Sequence, residues 1–302
     1  MNFNLVFRNV LILCCLIATI LMDAQNLQQV PLKTKVFLLA GQSNMDGRAK
    51  ASGLSQEDKL RLKAAQRNVT LHYNFEERKP LDTTKVATHT ARKFGADYLF
   101  GPEFFFGIEM SEEYPEHQIV LIKRARGGMS LYGAWNPDWT LEKATEIKEE
   151  NQPKLYGEFV SYSKDVLASL KKDSYELCGM LWVQGESDSG KKGGLKPRNE
   201  YQENLTNLIQ HVRKDFDAPE LPFLMFQVGN GKVVEAMQNV SRENANVVLI
   251  PQEKDKDSDF YFEKNPPPVG HYVAQAMKKI GVYFFQYYQK EFVQRFPVFE
   301  EH

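Results

Sequence analysis

The sequence predicts an α/β protein with an open, doubly wound parallel sheet. Five short apolar runs lack polar alternation, which indicates strands covered on both faces. Between them, apolar residues recur at spacings of three and four, which predicts helices. Strands that alternate with helices form a parallel sheet between two helical layers. The predicted strands are Val36–Ala40, Ile119–Lys123, Gly179–Val183, Phe223–Val228 and Val247–Pro251.

Two amphipathic stripes justify the helices between these strands. Apolar residues recur along Leu155–Leu170 and along Tyr201–Phe216, so each segment has one face for burial. The prolines of Pro266–Pro268 cannot lie within a helix but can lead into one. The last helix is therefore predicted to run from about Pro268 to about Gln289, which places His271 inside it.

The N-terminus has the pattern of an export signal. A single cation, Arg8, precedes the apolar stretch Val10–Met22, and "DAQ" follows around Ala24. The stretch is too short to span a bilayer comfortably. We predict a signal peptide over residues 1–24, one domain over 25–302 and an exported protein, periplasmic or extracellular, with no membrane span after cleavage. An uncleaved anchor is the alternative.

Charge composition excludes one class of partner and leaves another question open. The chain has 38 Lys and Arg residues against 39 Asp and Glu residues. No basic stripe or aromatic-basic run of the kind that nucleic-acid binders need is present in the sequence. Nucleic acid is therefore not an expected partner, and the oligomeric state stays open.

Small and polar residues follow the predicted strands at the point where each strand ends. Gly41–Asn44 come after the first strand, Gly127 and Gly128 after the second, Gln184–Asp188 after the third and Asp255–Asp259 after the fifth. Ligands of open parallel sheets bind beyond the carboxyl ends of the strands. These residues therefore predict a site at one edge of the sheet.

The chemistry available at this edge is that of a serine nucleophile. Ser43 needs a base, a carboxylate to orient that base, and donors aimed at the developing oxyanion. Glu186 and Asp259 are the candidate carboxylates, and the N–H groups of Ser43 and of the Gly127–Gly128 turn are candidate donors, with the Gln184 amide. Each feature alone has a structural alternative, since a serine after a strand commonly caps a helix and a glycine pair commonly makes a turn.

Three blocks in order resemble one family. The blocks are "GQSNM" after the first strand, "RGGMSLYGAW" after the second and "GMLWVQGESD" at the third. They resemble the sialate O-acetylesterase-like carbohydrate esterases of the SGNH hydrolase superfamily, over roughly Val36 to Tyr283. The resemblance implies a flavodoxin-like three-layer α/β/α sandwich with a five-stranded parallel sheet. It also implies hydrolysis of acetyl esters on carbohydrates without a metal or other cofactor.

The resemblance also assigns roles to residues. Ser43 matches the family nucleophile, Gly128 the glycine donor of the oxyanion hole and Gln184 its amide donor. Glu186 matches the glutamate that is the triad acid in some members. Gln42, Asn44, Arg126 and Trp135 are expected to contact the substrate, Trp135 as a pocket wall.

The base of the triad is the weak point of the match. The family block Asp-x-x-His places Asp259 on the aspartate and Phe262 on the histidine, or Tyr261 after a slip of one residue. Neither side chain is a base near neutral pH. His271, close in sequence, and His89, from a loop, are the candidate replacements. Three functions stay open: an acetylesterase, a carbohydrate-binding pseudoenzyme without the base, and an acyltransferase that uses the same serine.

Overall fold

The computed structural model describes residues 32–171 and 173–294, so the predicted signal peptide lies outside the described residues. A seven-stranded sheet has the order β10-β9-β8-β1-β7-β3-β4. The strands are β1 Thr34–Gly41, β2 Ala49–Lys50, β3 Val69–Tyr73, β4 Lys79–Pro80, β5 Thr84–Lys85, β6 Tyr98–Phe100, β7 Ile119–Ala125, β8 Tyr175–Val183, β9 Phe223–Phe226 and β10 Val247–Ile250.

The predicted parallel sheet is confirmed, but its size was underestimated. All five predicted strands are present, as β1, β7, β8, β9 and β10, and all their pairings are parallel. Two strands extend the sheet beyond β7: β3 pairs parallel with β7, and the two-residue β4 pairs antiparallel with β3. The sheet therefore has seven strands and not the predicted five, and the two additional strands form one of its edges.

Helices cover both faces of the sheet. The helices are α1 Ser43–Asp46, α2 Gln56–Ala65, α3 Thr88–Phe94, α4 Pro102–Glu113, α5 Leu141–Glu146, α6 Leu155–Ser169, α7 Glu186–Ser189, α8 Lys196–Asn199, α9 Tyr201–Asp215, α10 Lys232–Glu243 and α11 Ala274–Tyr288. Helix α4 packs against α2 and α11 in one layer, and α9 packs against α10 in the other. Helix α6 joins the second layer, where Phe159 contacts Phe216. The fold is the predicted three-layer α/β/α sandwich.

A small second sheet lies between β1 and α4 in the chain. Strands β2, β6 and β5 pair antiparallel in that order, and α3 connects β5 to β6. Each of these strands has only two or three residues, too few for a periodic pattern in the sequence. The insertion matters for function because α3 carries residues of the pocket described below.

The last helix begins later than predicted. Helix α11 starts at Ala274, and Val273 is its extended N-cap. The proline segment is followed by Gly270, whose φ of +63° is in the left-handed region, so the chain turns once more before the helix starts. His271 therefore lies in a loop and not, as predicted, inside the helix. In the described part of the chain, no helix is both long and apolar enough to cross a bilayer.

Candidate active site

Strand β1 ends in a turn that only glycine permits. Gly41 has a φ of +151°, and a Cβ atom at this position would lie 2.2 Å from the carbonyl oxygen of Val183 on the neighbouring strand. The N–H of Gln42 donates to that same oxygen at 2.9 Å. The tight approach lets the chain enter α1 directly, so Ser43 stands at the carboxyl end of the central strand.

Ser43 and His271 form a hydrogen-bonded pair. The Nε2 atom of His271 lies 2.9 Å from the Ser43 hydroxyl oxygen, and its Nδ1 atom bonds to the backbone carbonyl of Val269. A carbonyl oxygen can only accept, so Nδ1 carries the proton of the neutral ring. Nε2 then has the free lone pair and accepts the hydrogen bond from the serine hydroxyl.

The surroundings of His271 keep its ring neutral. Burial, above all, lowers the pKa of His271 below its ordinary value of 6.5, and the positive charges of Arg48, Lys93 and Lys264 lower it further. The Phe94 ring packs against the imidazole at a centroid distance of 5.3 Å. Because a lowered pKa leaves the imidazole unprotonated at pH 7, the ring can accept a proton there.

The glycine turn after β7 lies against the serine. A Cβ atom on Gly127 would lie 3.4 Å from the Cβ atom of Ser43, so the backbone approaches closely at this point. Gly128 has a φ of +76°. Among the hydrogen bonds of the described residues, none uses the N–H of Gly128 or of Ser43 as donor. Both donors are therefore available to a substrate oxygen.

The side chain of Gln184 is engaged in the interior. It is fully buried, and its Nε2 atom donates to the carboxylate of Asp188 at 2.5 Å and to the carbonyl of Met129 at 3.2 Å. Its oxygen accepts from the hydroxyl of Tyr201 at 3.1 Å. Gln184 does not line the pocket beside Ser43, whereas Ser43 and Gly128, the residues of the two backbone donors, do.

Glu186 lies behind the serine turn and pairs with Asn44. The amide of Asn44 donates to Oε1 of Glu186 at 2.6 Å, while Oε2 is buried without a hydrogen-bond partner. Burial raises the pKa of Glu186. Glu186 therefore bonds to α1, the helix that carries Ser43, and the Nδ1 atom of His271 bonds to Val269 instead.

The residues aligned with the family block Asp-x-x-His do not lie at the site. Asp259 is exposed, and its backbone carbonyl accepts from Tyr283 at 2.9 Å. Phe262 is 3% exposed and packs edge-on against Phe226 at a centroid distance of 4.8 Å. Tyr261 makes an isolated bridge with Glu253. The structure brings His271 to the serine, nine positions beyond Phe262 in the sequence.

The four expected substrate contacts are divided between the pocket and other places. Gln42 lines the pocket, and its side-chain oxygen accepts from the N–H of Ser187 at 3.2 Å. Asn44 is buried behind the serine. Arg126 is exposed and bonds to Gln152 at 3.2 Å. Trp135 is fully buried, edge-on to Trp182 at 5.3 Å, so it is a core residue and not a pocket wall.

A pocket of about 420 Å³ opens beside the Ser43–His271 pair. Four of its residues come from α3, an element that sequence patterns missed. No carboxylate is among its lining residues in the described chain, whereas Arg48 and Lys93 are cationic. The lining consists of Gln42, Ser43, Arg48, His89, Thr90, Lys93, Phe94, Gly127, Gly128 and His271.

Buried charges support the floor of the site. The Asp46 carboxylate accepts hydrogen bonds from Tyr73 and Arg48. The ammonium of Lys123 donates to the backbone carbonyl of Asp46 at 3.1 Å and pairs with Glu103 at 2.8 Å, with both side chains almost inaccessible. Burial lowers the pKa of Lys123, and Glu103 opposes that effect. Helix α1 is therefore anchored at its end by an ion pair.

The described residues contain no group of histidine, cysteine and acidic side chains arranged to hold a metal ion. The donors around Ser43 are a serine, a histidine and backbone N–H groups. This set is suited to acyl transfer on a serine oxygen.

Comparison with solved structures supports the fold. A protein from Arabidopsis thaliana superposes with a TM-score of 0.61 at 20% identity, covering 86% of this chain and 99% of that one. NanS gives 0.59 at 14% identity, covering 86% and 98%. A carbohydrate acetylesterase from Xanthomonas citri gives 0.56 at 15% identity, covering 84% of this chain and 55% of that one. At these identities the likeness is one of fold.

Sequence comparison identifies the family. No curated protein matches the chain. Residues 33–289 match the family described as carbohydrate esterase, sialic acid-specific acetylesterase, and this range contains every strand of the sheet and both members of the Ser43–His271 pair. The chain belongs to the sialic acid-specific acetylesterase family of carbohydrate esterases.

Proposed function

We propose that this protein is an exported carbohydrate O-acetylesterase that removes acetyl groups from sugars through an acyl-serine intermediate on Ser43. One observation carries the proposal: the 2.9 Å contact between the Ser43 hydroxyl and Nε2 of His271. It supplies the base that the family register at Phe262 lacks. Family membership supports an acetylated carbohydrate as the substrate.

Acylation would start with proton transfer inside this pair. The oxygen of Ser43 attacks the acetyl carbonyl carbon while Nε2 of His271 takes the hydroxyl proton. The carbonyl oxygen becomes an oxyanion, and the unpaired N–H groups of Ser43 and Gly128 are its donors. When the tetrahedral intermediate collapses, the bond to the sugar oxygen breaks, and Nε2 returns the proton to that leaving oxygen.

Deacylation would repeat the sequence with water. His271 takes a proton from water, whose oxygen attacks the acyl carbon on Ser43. The same two N–H groups stabilise the second oxyanion. Collapse breaks the bond to the serine oxygen and releases acetate, and the proton on Nε2 restores the hydroxyl of Ser43.

In this mechanism the Val269 carbonyl replaces the triad carboxylate. It fixes the ring orientation and the tautomer of His271, which are two functions of a triad acid. A carbonyl dipole stabilises the imidazolium less than a full negative charge does. Glu186 acts in this mechanism through Asn44, by holding α1, and Gln184 is not a donor to the oxyanion.

Matched histidine variants test the proposal. Ser43→Ala removes the nucleophile and abolishes the acyl-serine, and His271→Gln lowers kcat by about 100- to 10,000-fold because general-base help is lost. His89→Gln is the control, since His89 lines the same pocket but its ring bonds to the hydroxyl of Thr90 and not to Ser43. Acetate release from an acetylated sugar is measured. If His89→Gln abolishes release while His271→Gln does not, the base is misassigned.

The two other functions give different results in the same assay. A carbohydrate-binding pseudoenzyme binds the acetylated sugar but releases no acetate, and wild-type activity no higher than that of Ser43→Ala supports it. An acyltransferase moves the acetyl group to added free sugar faster than it releases acetate. The polar contact between Ser43 and His271 favours turnover over binding alone, and it is equally compatible with water and sugar as acceptors.

The charge of the pocket supports an acidic sugar as the substrate. Lys93 lines the pocket with His271 and has no ion-pair partner among the described residues, whereas Arg48 pairs with Asp46. The absence of lining carboxylates leaves this wall positive. A sialate has a carboxylate that such a wall attracts, in agreement with the family description.

Export rests on the N-terminal sequence, which lies outside the described residues. Expression of the full chain with a C-terminal tag, followed by N-terminal sequencing of the protein recovered outside the cytoplasm, tests it. A mature protein that begins at Gln25 supports cleavage after Ala24. Recovery of the uncleaved chain in membranes supports the anchor instead.

A further inference from the structure

Asp188, seen in the sequence as a charge near the site, is a fully buried side chain without a catalytic role in the mechanism above. Its two oxygens accept from the N–H of Leu131 at 2.9 Å and from the N–H of Tyr132 at 3.0 Å. Both donors belong to the segment that follows the Gly127–Gly128 turn. The carboxylate therefore holds that segment from the interior.

A second buried carboxylate holds the same segment. Glu149 is fully buried and accepts from the N–H of Ser130 at 3.1 Å, from its hydroxyl at 2.9 Å and from the N–H of Ala134 at 2.9 Å. Lys192 approaches Glu149 at 3.7 Å. With Asp188, four N–H groups within five consecutive residues are bound by carboxylates.

Gln184 links this arrangement to the glycine turn. Its amide donates to Asp188 and also to the carbonyl of Met129, the residue directly after Gly128. The three residues after Gly128 therefore each have a backbone group held by a hydrogen bond to a buried side chain: the carbonyl of Met129 and the N–H groups of Ser130 and Leu131. Such a network, in which buried donors are paired to carboxylate and carbonyl acceptors, is rigid.

We propose that Asp188, Glu149 and Gln184 form a carboxylate clamp, a set of positioning residues that fixes the N–H of Gly128 where the oxyanion develops beside Ser43. The assignment of that oxyanion rests on the proposed function. An oxyanion donor is effective only when it is held in place before the reaction. Burying two carboxylates lowers the stability of the protein. Placement of the Gly128 turn is the function that we assign to these two buried groups.

The pH profile separates the clamp from the base. Burial, above all, raises the pKa of Asp188 to about 7, in the same direction as the charge of Glu149 and against the Gln184 amide and the two N–H donors. Tyr201 also faces this carboxylate, and burial raises the pKa of Glu149 itself. Protonated Asp188 loses an acceptor for these donors. The pKa of His271 lies below 6.5, so a step near pH 7 that Asp188→Asn removes reports on the clamp.

Asp188→Asn tests the clamp, with Asp138→Asn as the matched control, since Asp138 is exposed. Hydrolysis of 4-nitrophenyl acetate is measured per serine titrated with a fluorophosphonate, so unfolded protein does not count. We expect kcat to fall at least about 10-fold, part of the 100- to 1,000-fold that a lost oxyanion donor costs, with KM little changed. The step near pH 7 disappears. Wild-type kcat per titrated serine with an unchanged profile overturns the proposal.

Hydrogen exchange tests the clamp without catalysis, so failure of the proposed function and failure of the clamp are distinguishable. In Asp188→Asn, we expect the amides of Leu131 and Tyr132 to exchange at least about 10-fold faster, as after loss of a charged hydrogen bond, while α9 is unchanged. If the variant does not fold, Glu149→Gln replaces it, with the amides of Ser130 and Ala134 as reporters. Wild-type protection of the reporter amides overturns the clamp, and faster exchange supports it.

Discussion

The ring of Phe94 packs edge-on against the imidazole of His271, with 5.3 Å between the ring centroids. Phe94 is the last residue of α3 and is 4% exposed, so it shields the base from water on the side of the small sheet. The guanidinium of Arg48 also lies over this ring, 5.6 Å from its centroid. Phe94 thus covers one side of the proposed base, while another side faces the pocket.

Phe94→Ala is expected to shift the acid limb of the pH profile upward. Burial is the main reason that the pKa of His271 is low, so added hydration raises that pKa toward 6.5 and protonates the base at a higher pH. We expect the limb in kcat/KM to move up by about 0.5 to 1 pH unit, within the range of partial desolvation effects. Phe75→Ala, at an exposed phenylalanine, is the control. A limb that moves down contradicts the role of Phe94.

Phe262→His is expected to destabilise the protein without increasing turnover. Phe262 lies in an aromatic cluster with Phe226, Tyr272 and Tyr283. An imidazole at this position would be buried among these rings, with its polar nitrogens removed from water. The free energy of unfolding in urea should fall by about 1–3 kcal/mol. Acetate release should stay at or below the wild-type rate. A gain in turnover would show that position 262 reaches the serine after all.

Lys93→Met is expected to weaken hydrolysis of acidic substrates selectively. The loss of one exposed charge removes about 0.2–1 kcal/mol of attraction, which lowers kcat/KM up to about 5-fold for an O-acetylated sialate. Hydrolysis of a neutral acetylated hexose should not change. Lys63→Met, at an exposed lysine of α2, is the control. Added salt should reduce the difference between substrates, and an equal loss on both substrates argues against charge recognition.

Breaking the buried Lys123–Glu103 pair is expected to destabilise the floor of the site. Glu103→Gln leaves the Lys123 ammonium buried without its counter-charge, at a cost of about 3–5 kcal/mol. Adding Lys123→Met removes the stranded charge, so the double variant should regain part of that stability. Urea unfolding of the two single variants and the double variant measures the coupling. Additive losses would show that the pair does not act as a unit.

The central strands of the sheet were predictable because burial on both faces leaves few polar positions in them. Val36–Ala40 and Ile119–Lys123 read as continuous runs for this reason, and both lie in the observed strands. The edge strand β4 could not be predicted, since Lys79 and Pro80 carry no apolar pattern. Periodicity thus identified the centre of the sheet and missed its margin.

The site was only partly predictable, for physical reasons that differ among residues. Ser43 and Gly128 follow strand ends, so topology alone brings them to one edge. His271 was expected inside a helix because prolines can start one, but the turn at Gly270 delays the helix to Ala274. Lys93 and Phe94 reach the pocket through an insertion that has no periodic signal. Arg48, three residues after the "GQSNM" block, was a missed residue with a sequence signal, its position beside that block.

The partner of the Nδ1 atom of His271 belongs to the main chain, and this affects how the protein tolerates mutation. Every amino acid at position 269 presents a carbonyl oxygen, so replacement of Val269 by Ile or Leu leaves the acceptor of this hydrogen bond intact. A saturation screen for activity should accordingly find two indispensable side chains at the centre of the reaction, one hydroxyl and one imidazole, and no acidic residue that matches them. The group that orients His271 thus depends on the backbone conformation at position 269 and not on which side chain stands there.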